Sequence, residues 1–392
     1  MRTQSLTALF VLLGATNVHA INNRHAHKRQ TPPPAASGTA IPPIESITFG
    51  MPTKSAPTVT ATFSPGEAVP VSGAPPLPTP FIFSPADWPE QDHIPPTDSD
   101  EVTQWMKELD GFDIPNLNPT VDGSCVNDTA AAADAANRGW WTCGGHTRGT
   151  DIVACPDKLT WGVSFDDGPS PYSHEISVHT WSHKHLTALT NEQIVAELGW
   201  TRHAIRTVLG VTPTTMRPPY GDIDDRVRAI SLAMGMIPIM WTRTPDGGQF
   251  DTNDWKVAGG LVTGKDSFAT FQNILSNASV IDTGFIVLQH DLYEITVDLA
   301  IGYTLNAALT HSPPFILKPI GQCSNTLTGN LYFESNQNAT FPYTNQTEGG
   351  YDFDGDGVVD FKTGKGGSNA GFTHSIPTLG VTLLVAIAVI MV

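Results

Sequence analysis

The sequence predicts a parallel α/β domain of the barrel-like type, and three observations support this class. Apolar runs typical of buried strands alternate with segments of helical periodicity between residues 159 and 289. Each apolar run leads into a polar segment, as at the carboxyl ends of parallel strands in α/β enzymes. The 32 prolines of the 392 residues are crowded toward the amino terminus, so one folded domain is the economical count.

The expected elements, in chain order, are a strand at 159–165, a helix over 190–210, a helix at about 223–234, a strand at 237–241 and a strand at 285–289. The first helix begins with a capping-box pattern at Thr190 and Gln193, and its apolar positions recur at helical spacing until Gly210. Strands that alternate with helices in this way indicate parallel pairing.

Residues 1–20 have the pattern of a secretory signal. Arg2 is basic, the stretch from Leu6 to Gly14 is apolar, and the small-residue ending Val18-His19-Ala20 predicts cleavage after Ala20. The chain is therefore expected to be secreted.

The carboxyl terminus predicts a lipid anchor. Residues 376–392 are uncharged and apolar, short for a membrane span, and follow a run of small residues at 364–371. This is the arrangement of a glycosylphosphatidylinositol (GPI) signal, with attachment at Ser368 or Asn369 and removal of 369–392. A tail-anchored helix is the alternative, but the secretory signal disfavours it.

Residues 21–99 are rich in Pro, Ser, Thr and Ala, which predicts an extended stalk rather than a packed domain. Residues 100–158 are expected to form a partly helical cap, with one short helix ending at Gly111 and a second after Asp128. In this cap, Trp140 and Trp141 either stack on sugar rings or pack in the interior.

Other features fit secretion. The net charge of −17 argues against nucleic acid or anionic polymers as partners. Four cysteines would be oxidised in the secretory path, and they allow three pairings. Four sequons are glycosylation candidates: Asn127, Asn277, Asn338 and Asn345.

The polar linker, residues 324–368, contains an acidic run from Asp352 to Asp360. Its spacing matches the first positions of a calcium loop. Thr363 stands where a bidentate Glu would be expected, so a solvated acidic linker is the competing interpretation.

The stretch from Trp161 to His185 carries the chemistry expected of a metal site. Asp166 and Asp167 follow the predicted first strand, and His179 and His183 lie four residues apart, so they can face one cation. Two imidazoles and one carboxylate leave open positions, as in a catalytic site. An Asp-Asp turn or a His pair taken singly is usually only polar surface, but their conjunction favours a site.

The stretches FDDGPS and HTWSH resemble the first two motifs of the NodB-like polysaccharide deacetylases, carbohydrate esterase family four. RPPYGD (217–222), DTNDW (251–255) and VLQHD (287–291) resemble the other three, in family order. The resemblance covers roughly Cys155 to Cys323 and, given the termini, is closest to fungal chitin deacetylases with a GPI anchor. It implies a distorted (β/α) barrel over 159–323. The disulfide Cys155–Cys323 would tie its start to its end, leaving Cys125–Cys143.

The resemblance also implies roles for individual residues. Asp167, His179 and His183 would hold zinc or cobalt, which lowers the pKa of water and polarises the carbonyl. Asp166 would be the general base and His290 the general acid. The remaining implied site residues are the backbone N–H of Tyr220 as oxyanion donor, Arg217 paired with Asp166, Asp254 paired with His290, Trp255 as a pocket wall and Leu288 lining the acetyl pocket.

The chain departs from the family between its first and second motifs, where only the segment from Asp166 to Glu175 separates two strand-like runs. A parallel crossover usually needs a dozen residues or more. We interpret this as the loss of a βα unit near Ser173, by exon skipping or an imperfect gene model, which would leave an incomplete barrel. Ten extended residues span roughly 33 Å, so Asp167 and His179 can still meet.

The expected activity is hydrolysis of the acetamide of chitin, giving chitosan and acetate at the cell wall. One alternative keeps the chemistry and changes the substrate to another acetylated polymer, such as peptidoglycan or xylan. Another is a noncatalytic wall-binding glycoprotein.

Overall fold

The computed structural model describes residues 41–50, 64–67, 76–79, 81–82, 84–167, 175–244, 246–324 and 331–335, with the backbone of 350–351 and 360–361. Several predictions concern residues outside this part: the signal at 1–20, the join near Ser173, Asn338 and Asn345, most of the possible calcium loop, and the GPI signal with Ser368 and Asn369.

The helices are short apart from two. They are α1 (Asp100–Met106), α2 (Thr129–Ala133), α3 (Ala135–Arg138), α4 (Asn191–Leu209), α5 (Asp225–Ala233), α6 (Gly264–Val280), α7 (Glu294–Leu299), α8 (Leu305–Thr310) and α9 (Ile320–Cys323). A π-helical turn, Ala300–Thr304, joins α7 to α8. The strands are β1 (Thr160–Val163), β2 (Thr215–Met216), β3 (Ile237–Pro238), β4 (Phe285–Ile286), β5 (Ile316–Pro319), β6 (Gly350–Tyr351) and β7 (Asp360–Phe361).

The first sheet is parallel, with β1 between β4 and β5. Trp161 of β1 is in register with Phe285 on one side and Leu317 on the other. A second parallel pair joins β2 to β3. These pairings confirm the predicted parallel α/β class, although each of the three strands is shorter in the structure than predicted. Isolated parallel bridges continue beyond the short ladders, as at Asp251 and Leu288.

The final strand of the domain borders the first strand. β5 pairs with β1 on the side opposite β4. Just after β5, the N–H of Gly321 donates to Oε1 of Glu175 at 3.1 Å. Glu175 leads to Val178, which bridges to Met216 of β2. This hydrogen bond therefore links the end of β5 to the segment that carries the second motif.

The capping chemistry of α4 follows the sequence closely. Thr190 Oγ1 accepts from the N–H of Gln193 at 3.3 Å, and Gln193 Oε1 accepts from the N–H of Thr190 at 3.0 Å. The helix ends at Gly210, whose φ of 73° is left-handed and suits glycine. The predicted start and end of this helix are confirmed.

Two apolar clusters flank the sheets. The larger one buries the inner face of α4 with that of α5, including Ile194, Leu198 and Ile230. The smaller one packs α6 against β1 and β4, through Phe271 and Trp161. Burial of each such side chain stabilises the folded protein by about 1.5–3 kcal/mol. Both clusters therefore hold in place the strand ends that carry the polar motifs.

The described parts of residues 21–99 differ from the predicted stalk. Ile47 is only 1% exposed. Trp88 stacks on Trp181 with ring centroids 6.2 Å apart and an interplanar angle of 6°, and Phe81 packs edge-on against Trp88. These aromatic groups bury enough apolar surface to fix their segments, although prolines surround them in the sequence.

The cap resolves the two interpretations of its tryptophans in part. Trp140 is fully buried, and Trp141 is 3% exposed while its ring edge lines the central cavity. Both disulfides favoured by the sequence are present, Cys125–Cys143 within the cap and Cys155–Cys323 across the domain. Within the described residues, no helix has the length and apolarity needed to cross a membrane.

Candidate active site

The first and last motifs meet because their strands are neighbours. Beyond the β1–β4 ladder, Asp166 and His290 form a parallel bridge, and the N–H of Asp166 donates to the carbonyl of Gln289 at 2.9 Å. The carboxyl ends of adjacent parallel strands thus bring the two predicted catalytic residues side by side.

Asp167, His179 and His183 converge as predicted. The ring nitrogens Nε2 of His179 and of His183 each lie 3.4 Å from Oδ1 of Asp167. One donor atom from each residue falls within 4.8 Å of the other two. One carboxylate oxygen and two imidazole nitrogens form a donor set that suits zinc or cobalt and leaves coordination positions open. The residues therefore fit a divalent cation.

The hydrogen bond at Nδ1 of His179 determines which of its two ring nitrogens can bind a metal. Nδ1 lies 2.7 Å from the carbonyl oxygen of Arg217, which can only accept, so Nδ1 carries the proton. Nε2, facing Asp167, is then the nitrogen that can bind a metal. Burial acts to lower the pKa of His179 but Asp166 and Asp167 raise it, so metal binding at Nε2 must displace a proton.

The surroundings of His183 and Asp167 shift their pKa values so that the imidazole is neutral and the carboxylate is ionised. Burial lowers the pKa of His183 to about 4, so its imidazole is neutral at ordinary pH. Burial alone would raise the pKa of Asp167, but the facing His183 and His179 hold it well below its usual range. An ionised carboxylate beside a neutral imidazole is the state that metal binding requires.

Asp166 forms a separate pair with Arg217. Nη1 of Arg217 donates to Oδ1 of Asp166 at 2.6 Å and to Oγ of Ser164 at 2.9 Å. Burial acts to raise the pKa of Asp166, but the guanidinium and the nearby imidazoles outweigh it and lower the pKa. Asp166 is therefore ionised, as a general base must be.

His290 is held by Asp254. Nδ1 of His290 lies 2.8 Å from Oδ1 of Asp254, and the backbone N–H of His290 donates to Oδ2 at 2.7 Å. Burial alone would lower the pKa of His290, but the Asp254 carboxylate overcomes it and raises the pKa to about 10. The imidazole is therefore protonated at neutral pH, as a general acid must be.

Tyr220 lies on the Pro218–Pro219 turn with a left-handed φ of 61°. The residue is 52% exposed, and its ring stacks on His185 with centroids 4.1 Å apart and an interplanar angle of 11°. The ring of His183 meets it edge-on at 4.7 Å. The turn therefore lies beside the histidine pair, where an oxyanion donor is needed, and the role of its N–H stays a prediction.

One cavity of about 530 Å³ is lined by the metal-ligand candidates and the acid–base pair together with Tyr220, namely Asp166, Asp167, His179, His183, Tyr220 and His290. Trp255, with 46% of its surface exposed, and Leu288 line it as predicted. Trp141 and Trp241 form an apolar wall, with ring centroids 4.4 Å apart. This volume lies within the usual range for small-molecule sites.

Sequence reasoning missed several residues around the site. Asp92, from the segment predicted as stalk, lines the cavity. Asp222 is fully buried and accepts from Nε1 of Trp140 at 2.8 Å and from both the N–H and the hydroxyl of Thr187. Its place at the end of RPPYGD was the available signal. Glu197, on α4, carried no motif signal.

The family model described as polysaccharide deacetylase matches residues 171–239. Chitin deacetylase 1 of Cryptococcus neoformans var. grubii is 46% identical over 345 residues, covering 78% of this chain and 72% of that relative. Chitin deacetylase of Amylomyces rouxii is 30% identical over 274 residues, covering 56% of this chain and 63% of that one. Chitin deacetylase 2 of Saccharomyces cerevisiae is 40% identical over 149 residues, covering 36% and 44%.

The Cryptococcus alignment of 345 positions is longer than the 78% of these 392 residues that it covers, so the relative has residues that this chain lacks. The chain spans about half the length of several other relatives, such as 49% of chitin deacetylase 2 of the same organism. Among solved structures, the chitin deacetylase of Colletotrichum lindemuthianum is 19% identical, with a TM-score of 0.39 over 50% of this chain and 99% of that one.

Proposed function

The chain belongs to the polysaccharide deacetylase family, and from this premise we propose that it is a metal-dependent chitin N-deacetylase that releases acetate and leaves chitosan. One observation carries the proposal. Asp167, His179 and His183 converge in the same cavity as an ionised Asp166 and a protonated His290.

Asp167, His179 and His183 would hold the cation, zinc or cobalt. When bound, it would supply Lewis-acid activation of water and of the acetamide carbonyl. The convergence of three donors within 4.8 Å supports this assignment.

The other residues divide the proton transfers. Asp166 accepts a proton from the attacking water, and its pair with Arg217 keeps it ionised for that purpose. The backbone N–H of Tyr220 donates to the oxyanion that forms at the carbonyl carbon. His290 then gives a proton to the sugar nitrogen as the C–N bond breaks, and Asp254 keeps that imidazole charged. Trp255 and Leu288 bound the sugar and its acetyl group.

Chitin is favoured as substrate because relatives from Cryptococcus, Amylomyces and Saccharomyces that are 30–46% identical to this chain are named chitin deacetylases. A neutral polymer whose product is cationic also suits a chain with a net charge of −17.

The proposal places the enzyme at the fungal cell wall. Its support is the secretory signal, the sequons, including Asn127 and Asn277, and the carboxyl-terminal GPI pattern with attachment at Ser368 or Asn369. The Asp352–Asp360 run as a calcium loop is a weaker proposal that the deacetylase activity does not need.

Acetate release from defined chitin oligomers tests the function. The metal-loaded full chain should release acetate, whereas Asp166→Asn and His290→Gln should lose more than about 100-fold of that activity. Asp282→Asn, at a fully exposed carboxylate, is the matched control and should be unchanged. Parallel assays on acetylated xylan and peptidoglycan decide the substrate. Chitin binding with no acetate from any polymer would instead select a noncatalytic wall-binding protein.

A further inference from the structure

The loop that carries both histidine ligands has an unusual backbone. Thr180 has a φ of 65° and His183 a φ of 54°, both left-handed and neither a glycine. L-residues rarely adopt this region, and they persist there only when surrounding contacts enforce it. The ligand geometry of His179 and His183 therefore depends on whatever holds residues 180–183.

One buried carboxylate makes most of these contacts. Glu197, on α4, accepts from the N–H of Trp181 at 2.9 Å and from the N–H of Ser182 at 2.8 Å. The hydroxyl of Ser182 also donates to its other oxygen, Oε1. Both oxygens of Glu197 are thus used on the two residues that lie between the left-handed positions.

Glu197 is well placed to fix that loop. It is fully buried, and its helix is capped at both ends and packed along its inner face in the main core. A carboxylate on such a rigid element presents its acceptors with little freedom, which is the property needed of a group that orients metal ligands.

The outer side of the loop is held by aromatic packing. The ring of Trp181 is stacked on Trp88 and meets Trp200 at 6.3 Å, and its Nε1 donates to the carbonyl of Glu90 at 3.1 Å. Glu197 therefore holds the backbone of the loop through hydrogen bonds, and the rings of Trp88 and Trp200 hold the side chain of Trp181 by packing. Among the described residues, only the Glu197 carboxylate accepts from the N–H groups of Trp181 and Ser182.

We propose that Glu197 is a positioning residue for the metal site, holding residues 180–183 so that His179 and His183 keep their common direction. This inference rests on the proposed metal binding by those histidines. Glu197 itself is not a ligand, because its two oxygens are engaged by Trp181 and Ser182.

The test measures Zn²⁺ affinity of the full chain by competition with a chromophoric chelator, without substrate. Glu197→Leu keeps most of the side-chain bulk but removes both acceptor oxygens from Trp181 and Ser182, so Zn²⁺ should bind about 10- to 100-fold more weakly. The absorption spectrum of the Co²⁺ form should change as well, because it reports ligand geometry. Ser182→Ala removes only the hydroxyl contact and should weaken binding less. Glu192→Leu, exposed on the same helix, is the matched control.

A purely structural role predicts a different result. In that case Glu197→Leu would lower the thermal midpoint of the metal-free protein while leaving Zn²⁺ affinity and the Co²⁺ spectrum unchanged, and the inference would be overturned. If Glu197→Leu does not fold, Ser182→Ala decides by the same criterion. Wild-type protein that binds no Zn²⁺ would overturn the proposed function, and this inference with it, whereas equal affinities in wild type and variants overturn this inference alone.

Discussion

The pair between His290 and Asp254 gives the sharpest quantitative prediction. The imidazole is buried, and the carboxylate at 2.8 Å raises its pKa from an ordinary 6.5 to about 10. This change corresponds to about 5 kcal/mol of extra stabilisation of the imidazolium. In Asp254→Asn most of that stabilisation is lost, and because burial lowers the pKa while Asp167 and Asp166 still raise it, the pKa of His290 should return to about its ordinary 6.5.

The consequence for acetate release depends on pH. At about pH 8 the protonated fraction of His290 falls from nearly all to about 3%, so the variant should be about 30-fold slower. At about pH 6 the protonated fraction stays above about one half, and the loss from this cause should be less than about 2-fold. The alkaline limb of the pH–rate profile should therefore move from near pH 10 to about pH 6.5.

The assay is kcat/KM for acetate release from chitin oligomers across this pH range, with metal content measured for each preparation. Asp282→Asn again serves as control, because its exposed carboxylate lies outside the cavity lining. An alkaline limb that does not move in Asp254→Asn would refute the assignment of His290 as an acid held protonated by Asp254. A wild-type His290 that titrates near 6.5 by NMR would refute it equally.

Three other predictions follow from the same contacts. Replacing Arg217 by Met leaves burial to raise the pKa of Asp166, so the acid limb of the pH–rate profile should move upward, with about a 10-fold loss or more at about pH 5. The pKa of His290 is raised on folding, so protonation of this imidazole stabilises the folded protein fully below about pH 6.5, and the stabilisation is lost as pH approaches 10. Denaturant titrations at several pH values would detect this loss as a lower free energy of unfolding. Replacing Cys155 and Cys323 together by Ser opens a loop with a sequence separation of 168 and should lower the free energy of unfolding by about 5 kcal/mol; an unchanged denaturation midpoint would contradict this.

The sequence was sufficient where chemistry is local. A carboxylate after a strand and a His pair at close spacing predicted a metal site, and the family resemblance assigned Asp167, His179 and His183 as its ligands. The structure brings the donor atoms of these three residues within 4.8 Å. The capping box at Thr190 and the stop at Gly210 were predicted for the same reason, since each depends on side chains a few residues apart.

Predictions failed where the deciding contacts are distant in sequence. Trp88 lies among prolines and was assigned to a stalk, but its ring stacks on Trp181, more than ninety positions later. Glu197 looked like an ordinary helix residue until its contacts with Trp181 and Ser182 were seen. Tertiary contacts of this kind override local composition, and the periodicity of the sequence does not predict them.

The short crossover illustrates the same limit. The segment after Asp166 predicted a missing βα unit, and the alignment with the Cryptococcus relative includes residues that this chain lacks. The position of β5 beside β1 could not be inferred from the sequence. β5 lies near the end of the domain, far from β1 along the chain, and no local pattern specifies that these two strands pair. Sequencing the full transcript tests whether residues are encoded there.

The proposed function requires that the metal-loaded chain hydrolyses an acetamide. The most direct measurement is parallel titration of acetate and new free amines formed from chitin oligomers, before and after removal of the metal with a chelator and its restoration. We predict equal amounts of acetate and amine, abolished by the chelator and restored by zinc or cobalt. A folded, metal-loaded protein that binds the oligomers and releases no acetate would contradict the proposed function.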